Sequence, residues 1–233
     1  MGVDKLTWGE SVHEVAVIGP ARISVYSRGM KDLTSEDLRR AVTVVATTLA
    51  PHVAADWSLN AGDLEWTCRQ TLDHSVHAVL WYAANLATLS TEPRQHVRYG
   101  DPNGPIARLL DALVSGGHIL ARVAEATPPG GVGYHGDGMA DATGFLAMGC
   151  DEVLVHANDI CLGLGVEFRP PDDVCERLVP RLFPWAPECD DPWARLLWCN
   201  GRLAVLDRSR LGPRWSWWCA PLAEWDGVPR TVR

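Results

Sequence analysis

The sequence has little positive charge, no long apolar run and no paired-cysteine motif, and each lack excludes a class of protein. Its 21 Lys and Arg residues are outnumbered by 29 Asp and Glu, which gives a formal net charge of -8. An acidic chain is a poor partner for nucleic acid, whose phosphates require a basic face. No apolar run approaches the ~20 residues that a membrane-spanning helix needs. We therefore expect neither a nucleic-acid nor a membrane partner.

The cysteines point to a reducing compartment. There are seven, an odd number, and none stands in a C-x-x-C spacing, which predicts free thiols and argues against a cysteine-only zinc site. The segment 1–10 has neither the basic n-region nor the apolar h-region of a secretory signal peptide. These features predict a cytoplasmic protein, which we expect to be a monomer or a weak homodimer.

What the sequence does contain is helical periodicity. Four long segments carry apolar residues at helical spacing, and they begin near the Thr34 capping box, at Asp63, at Pro105 and at Gly144. Four such helices predict an all-α protein built as an up-down four-helix bundle. We divide the chain into an N-terminal arm or hairpin (1–32), the bundle (33–168) and a C-terminal appendage (169–233). Seven of the eleven tryptophans lie in the last 49 residues.

The fourth helix, predicted over 144–165, carries the chemistry. Glu152 and His156 lie four residues apart, so both point from the same face of the helix, and Asp159 lies on the same stripe. A carboxylate and an imidazole on an otherwise apolar helix need partners, because burying them unpaired is costly. One such partner is a metal ion. The alternative is an ordinary surface pair at i and i+4.

The second helix, predicted over 63–89, carries another candidate ligand. His74 lies opposite the aliphatic face, in a mixed strip that includes Ala78, Trp81 and Asn85. Amphipathicity alone favours an exposed position for this strip, although it could also border a polar pocket inside a bundle.

Taken together, the two helices resemble a known family. The pattern W-x7-H at 66–74, with E-x3-H-x2-D-x5-G at 152–165, resembles the DinB-like superfamily, and within it the N-terminal metal-binding domain of the mycothiol-dependent maleylpyruvate isomerase family. The resemblance covers about residues 33–168. It implies a divalent metal, with zinc favoured, bound by His74, Glu152 and His156. We expect Asp159 to orient one of these ligands by a hydrogen bond to it; the alternative is an ordinary charge near the helix end.

The resemblance further implies a reaction. Two His and one Glu leave a coordination position open for water or substrate, and the family uses mycothiol, a low-molecular-weight thiol, against a small electrophile. We therefore expect mycothiol as cosubstrate and a metal-dependent transferase or isomerase activity. Gly201-Arg202 resembles a Gly-Arg pair in the C-terminal part of the family, which makes Arg202 a candidate for substrate binding. Arg202, Trp198 and Trp215 are expected to form part of the pocket wall.

Other functions stay open at this point. The C-terminal appendage, about 65 residues, is shorter than the C-terminal domain of the isomerases, so the substrate is undetermined. A non-catalytic metal-binding bundle and a hydrolase that uses zinc-bound hydroxide on the same ligands are the alternatives.

Overall fold

The computed structural model describes residues 32–95, 103–205 and 208–230. These residues are mostly helical, with one small sheet, and none of their helices is both long and apolar enough to cross a membrane. The α-helices are α1 (Ser35–Leu49), α2 (Cys68–Ala87), α3 (Ile106–Ala126), α4 (Ala142–Leu164), α5 (Asp172–Leu182) and α6 (Pro192–Cys199), and the strands are β1 (Val132–His135) and β2 (Gly138–Asp141). The arm predicted at 1–32 lies, apart from Asp32, outside the described residues.

The four long helices pack around one apolar core. Helices α1 and α2 each pack against both α3 and α4. The prediction of a helical protein is confirmed, but the small sheet departs from the all-α class. Two adjacent glycines on α3 allow this close approach. A Cβ at Gly117 would collide with Val42 of α1, and a Cβ at Gly116 would collide with Val79 of α2. These glycines thus act in helix packing.

The segment before α4 is a β-hairpin, which was not predicted from the sequence. Strands β1 and β2 pair antiparallel, with Val132 opposite Asp141 and His135 opposite Gly138, so the turn has only two residues. Gly138 has a φ of 140°, a conformation that favours glycine. The backbone N–H of Tyr134 donates to the carbonyl of Ser90 at 2.6 Å, which fastens the hairpin beyond the end of α2.

The C-terminal appendage, from here on called the C-terminal part and described over residues 169–205 and 208–230, packs onto α4 by buried polar contacts. The Arg181 side chain donates to Asp141 at 2.6 Å and to the carbonyls of Trp218 and Cys219 at 3.1 and 3.2 Å. Helix α6 ends at Cys199, and the chain then turns at Gly201 with a φ of 64°. The segment 214–218 is extended without being a strand. The division into domains stays a prediction.

Candidate metal centre

Helices α2 and α4 supply the candidate ligands, and local signals fix where both helices begin. The capping box of Thr67 and Gln70 begins α2, and the Asp141 carboxylate begins α4 by accepting from the backbone N–H of Gly144 at 2.7 Å. Helix α4 ends at Gly165, which has a φ of 67°, as expected for a helix C-terminus. The predicted bounds of α4 are thus confirmed to within two residues.

The side chains of His74, Glu152 and His156 converge on one point. One Glu152 oxygen, Oε2, lies 3.2 Å from the Nε2 atom of His74 and 3.2 Å from the Nε2 atom of His156. The three potential ligand atoms lie within 4.8 Å of one another. The two imidazoles meet nearly edge to face, with ring centroids 5.1 Å apart. This cluster could hold a metal ion.

The cluster is recessed but reachable. The side chains of His74, Glu152 and His156 are 17%, 11% and 13% exposed. Amphipathicity alone favoured an exposed position for the strip that contains His74. That expectation is wrong, because Ala78, Trp81 and Asn85 of the same strip are buried. Helix α4 and strand β1 both pack against α2, so this helix is covered on more than its aliphatic face.

The charges around the cluster favour a bound cation. Burial would raise the pKa of the Glu152 carboxyl, but the charge of His74 and hydrogen bonds from both histidines outweigh it and hold that pKa well below its usual value. Burial would lower the pKa of His156, but the Asp159 and Glu152 carboxylates raise it to about 9. Carboxylates thus flank His156 on two sides. A proton or a metal ion would compensate them, and the donor set of two imidazole nitrogens and one carboxylate oxygen is one that zinc accepts.

Asp159 contacts the His156 ring on the side away from the cluster. Its Oδ2 atom lies 3.1 Å from the Nδ1 atom of His156, and a hydrogen bond there leaves Nε2 directed at the cluster. Arg202 donates two hydrogen bonds to the same carboxylate, from Nε to Oδ1 at 3.1 Å and from Nη2 to Oδ2 at 2.8 Å. Arg202 therefore contacts Asp159, which in turn contacts His156. The role of Arg202 in substrate binding stays a prediction.

Tyr82 also belongs to the site, although it was not predicted from the sequence. Its hydroxyl donates to the second Glu152 oxygen, Oε1, at 3.0 Å. Burial and the nearby Glu152 charge raise the pKa of Tyr82 well above its usual value, so the hydroxyl stays protonated and remains a donor. Tyr82 follows His74 by eight residues on α2, about two turns along and roughly 80° around the helix axis, and both side chains reach Glu152.

Asp151, a carboxylate next to Glu152 in the chain, was also not predicted as part of the site. Asp151 is buried and accepts from the Asn200 amide at 2.8 Å and from the Trp217 indole N–H at 3.0 Å. Burial raises the pKa of Asp151 to about 7. Both donors come from the C-terminal part of the chain, so Asp151, like Asp159, ties that part to α4.

A cavity of about 660 Å³ opens over the cluster. Its apolar walls include Trp66, Trp215 and Trp217, and Arg202 also lines it. The Trp66 ring lies 4.8 Å from that of His74. The pocket-wall role is thus supported for Arg202 and Trp215, whereas Trp198 is buried in the core. A volume of this size suits a small-molecule ligand.

Comparison of the chain with protein-family models, with curated proteins and with solved structures found no match. What supports a function is therefore the geometry of the site and the sequence pattern at 66–74 and 152–165.

Proposed function

We propose that this protein is a zinc-dependent enzyme that activates a low-molecular-weight thiol, such as mycothiol, for transfer to or isomerisation of a small electrophile. The observation that carries the proposal is the convergence of His74, Glu152 and His156 beneath a cavity of about 660 Å³. The proposal includes the DinB-like four-helix fold, which the sequence pattern at 66–74 and 152–165 resembles and with which the packing of α1 to α4 is compatible.

The three ligands define what the centre can do. Two imidazoles and one carboxylate leave a coordination position open in a tetrahedral site. Zinc in such a site supplies Lewis acidity, which lowers the pKa of a coordinating thiol into the physiological range. Because the cavity lies directly over the cluster, a thiol entering it would meet the ligands without any rearrangement of the helices.

The chain's own residues orient the centre and limit water access. The Tyr82 hydroxyl holds one Glu152 oxygen, which leaves the other oxygen facing both histidines. The walls formed by Trp66, Trp215 and Trp217 offer apolar surface to the body of an electrophilic substrate. Aromatic walls bury much apolar area per residue, so they would also exclude water that competes with the thiol.

Metal content and thiol dependence are the direct tests of this proposal. Protein purified without a histidine tag should contain about one divalent metal per chain. Turnover of an activated alkene or aryl electrophile should require mycothiol in the wild type and fall to background in His74→Ala. Metal-free protein that retains full activity would refute the proposal.

Two outcomes of the same assay would point to the alternatives. Turnover that does not depend on a thiol but does depend on His74 would favour a hydrolase that uses the same ligands. If no electrophile reacts, and no thiol changes the visible spectrum of the cobalt-substituted protein, a non-catalytic metal-binding protein is favoured.

A further inference from the structure

The C-terminal part of the chain supplies none of the three candidate ligands, yet it contacts the carboxylate behind one of them. Arg202 follows α6 and donates two hydrogen bonds to Asp159 of α4, one to each carboxylate oxygen, at 3.1 and 2.8 Å. The oxygen that receives the shorter bond is also the one that lies 3.1 Å from Nδ1 of His156. A continuous chain of contacts therefore runs from Arg202 to a candidate ligand.

The position of Arg202 is itself fixed. Its NH1 group donates to the carbonyl of Asn200 at 2.9 Å, so the guanidinium is held at both ends. The preceding residue, Gly201, has a φ of 64°, and a Cβ there would press on the carbonyl of Leu211. The tight turn at Gly201 directs the arginine at α4. A guanidinium fork that is anchored in this way fixes the plane of the carboxylate it binds.

The burial of Asp159 explains why this fixation matters. Its side chain is only 3% exposed, so an unpaired Asp159 carboxylate would carry the full cost of desolvation. With Arg202 in place, Asp159 stays charged and keeps one orientation. His156 then presents Nε2 to the cluster in one ring orientation, which a metal ligand needs.

We infer that Arg202 is a positioning residue of the metal centre, which acts through Asp159 on His156, and that the C-terminal part of the chain thereby completes a site whose ligands all lie on α2 and α4. This inference rests on the proposed metal centre. It assigns to Arg202 a task other than carboxylate recognition in a substrate.

Metal affinity in four proteins tests the inference: the wild type, Arg202→Met, Asp159→Asn and the double variant. Zinc affinity is measured by competition with a chromophoric chelator, and the cobalt-substituted proteins provide a visible spectrum that reports ligand geometry. We expect Arg202→Met to lose roughly 10- to 100-fold in affinity, the usual effect of removing an outer partner of a metal ligand, and to alter the cobalt spectrum. In the Asp159→Asn background, Arg202→Met should cause no further loss, because its effect passes through Asp159.

Arg169→Met is the matched control. Arg169 lies in the same C-terminal part but outside the cavity over the cluster, and it pairs with the carboxylates of Asp172 and Asp191 at 2.7 and 3.0 Å. We expect its metal affinity to stay within about twofold of the wild type, since a partly exposed ion pair of this kind contributes little. Circular dichroism checks that each variant folds. If Arg202→Met does not fold, Arg202→Lys replaces it, and an intermediate loss is expected because lysine keeps the charge without the fork.

The outcomes separate this inference from the proposed function. Wild-type protein that binds no metal would end both. Wild-type protein that binds metal, with wild-type affinity in Arg202→Met or Arg202→Lys, would overturn the inference and leave the proposed function standing. Losses that multiply in the double variant would also overturn it, since they would show that Arg202 acts independently of Asp159.

Discussion

At the scale of single residues, Glu152 organises the site because each of its oxygens has a separate task. Oε2 faces both histidines, each at 3.2 Å, while Oε1 accepts from Tyr82 at 3.0 Å. A carboxylate that is held from one side keeps its other oxygen available in a fixed direction. The same division of tasks occurs at His156, where one nitrogen faces Asp159 and the other faces the cluster.

We expect His156→Ala to abolish metal binding while most of the helical structure is retained. The substitution removes one of three ligands, whereas the helices are held by apolar packing that does not involve the His156 ring. Elemental analysis and far-ultraviolet circular dichroism measure the two effects. His118→Ala is the control, because His118 is exposed on α3; equal metal loss in both variants would show that metal is held non-specifically by surface histidines.

Tyr82→Phe should weaken zinc binding by roughly 10- to 100-fold, as is usual when a hydrogen-bond partner of a metal ligand is removed. The ring is kept, so packing is preserved and only the hydroxyl that holds Glu152 is lost. Chelator competition gives the affinity. Tyr134→Phe is the comparison, because the Tyr134 ring packs against Trp81; if both variants bind zinc as tightly as the wild type, the Tyr82 hydrogen bond has no role in the centre.

The three candidate ligands could be predicted from the sequence, and their partners could be predicted only in part. Glu152, His156 and Asp159 lie on one helix, so spacing alone places them together. His74 could be assigned as a candidate ligand only from the family resemblance, because amphipathicity favoured an exposed position for its side chain. The partnership of Arg202 with Asp159 spans 43 residues along the chain and depends on the turn at Gly201, which no local pattern in the sequence identifies.

At the scale of elements, α1 and α5 are joined by a small network of charges. Arg177 on α5 donates to Asp37 on α1 at 2.6 Å and to Asp173 at 2.8 Å, and Arg40 on α1 donates to Asp173 at 2.7 Å. Burial opposes ionisation of Asp37, but hydrogen bonds from Arg177 and Thr34 outweigh it, so the pKa of Asp37 lies below its usual value. This network is a means by which the C-terminal part is held on the helical core.

The Asp37 pKa gives a pH-dependent prediction. A carboxyl whose pKa is lowered in the folded state adds stability above its unfolded pKa of 3.8 and loses it as the pH falls through the folded value. Asp37→Asn should therefore lower the free energy of unfolding at pH 7 by about 1–3 kcal/mol, and the difference from wild type should shrink below about pH 4. Urea denaturation measures it; a difference that is constant with pH would contradict the prediction.

Asp173→Asn is the control for this network. Asp173 contacts the same two arginines, but its side chain is 47% exposed, so water screens its contacts. We expect it to cost less stability than Asp37→Asn.

Element boundaries were predictable where local signals are strong. Thr34 forms a capping box with Asp37 at the start of α1, and Gly165 ends α4, as the sequence indicated. The hairpin of β1 and β2 was missed because each strand has only four residues and lies among glycines that resemble a loop. Its stability comes from tertiary contacts, among them the bond to the carbonyl of Ser90, which no short stretch of sequence reveals.

At the scale of the whole molecule, the site couples the helical core to the C-terminal part. Asp151 and Asp159 lie eight residues apart on α4. Both accept hydrogen bonds from side chains of the C-terminal part, namely Asn200, Arg202 and Trp217. An ion bound between α2 and α4 would therefore stabilise contacts on both sides of the cavity. Anything that binds the folded state alone raises the free energy of unfolding, by about 2.7 kcal/mol at a ligand concentration of 100 times Kd.

We expect zinc at this excess to raise the Tm of the protein by roughly 5–10 °C, from the usual shift for a chain of this length. At a fixed zinc concentration the rise should grow as the pH increases from about 6.5 to 9, because the apparent Kd falls. In metal-free protein the pKa of His156 is raised from 6.5 to about 9, so its proton adds stability that is fully present below pH 6.5 and is lost as the pH passes 9. Zinc must displace that proton at low pH and competes with none at high pH. Differential scanning calorimetry of wild type and His156→Ala across this range measures both effects, and a zinc-dependent rise that persists in His156→Ala would place the bound metal elsewhere on the chain.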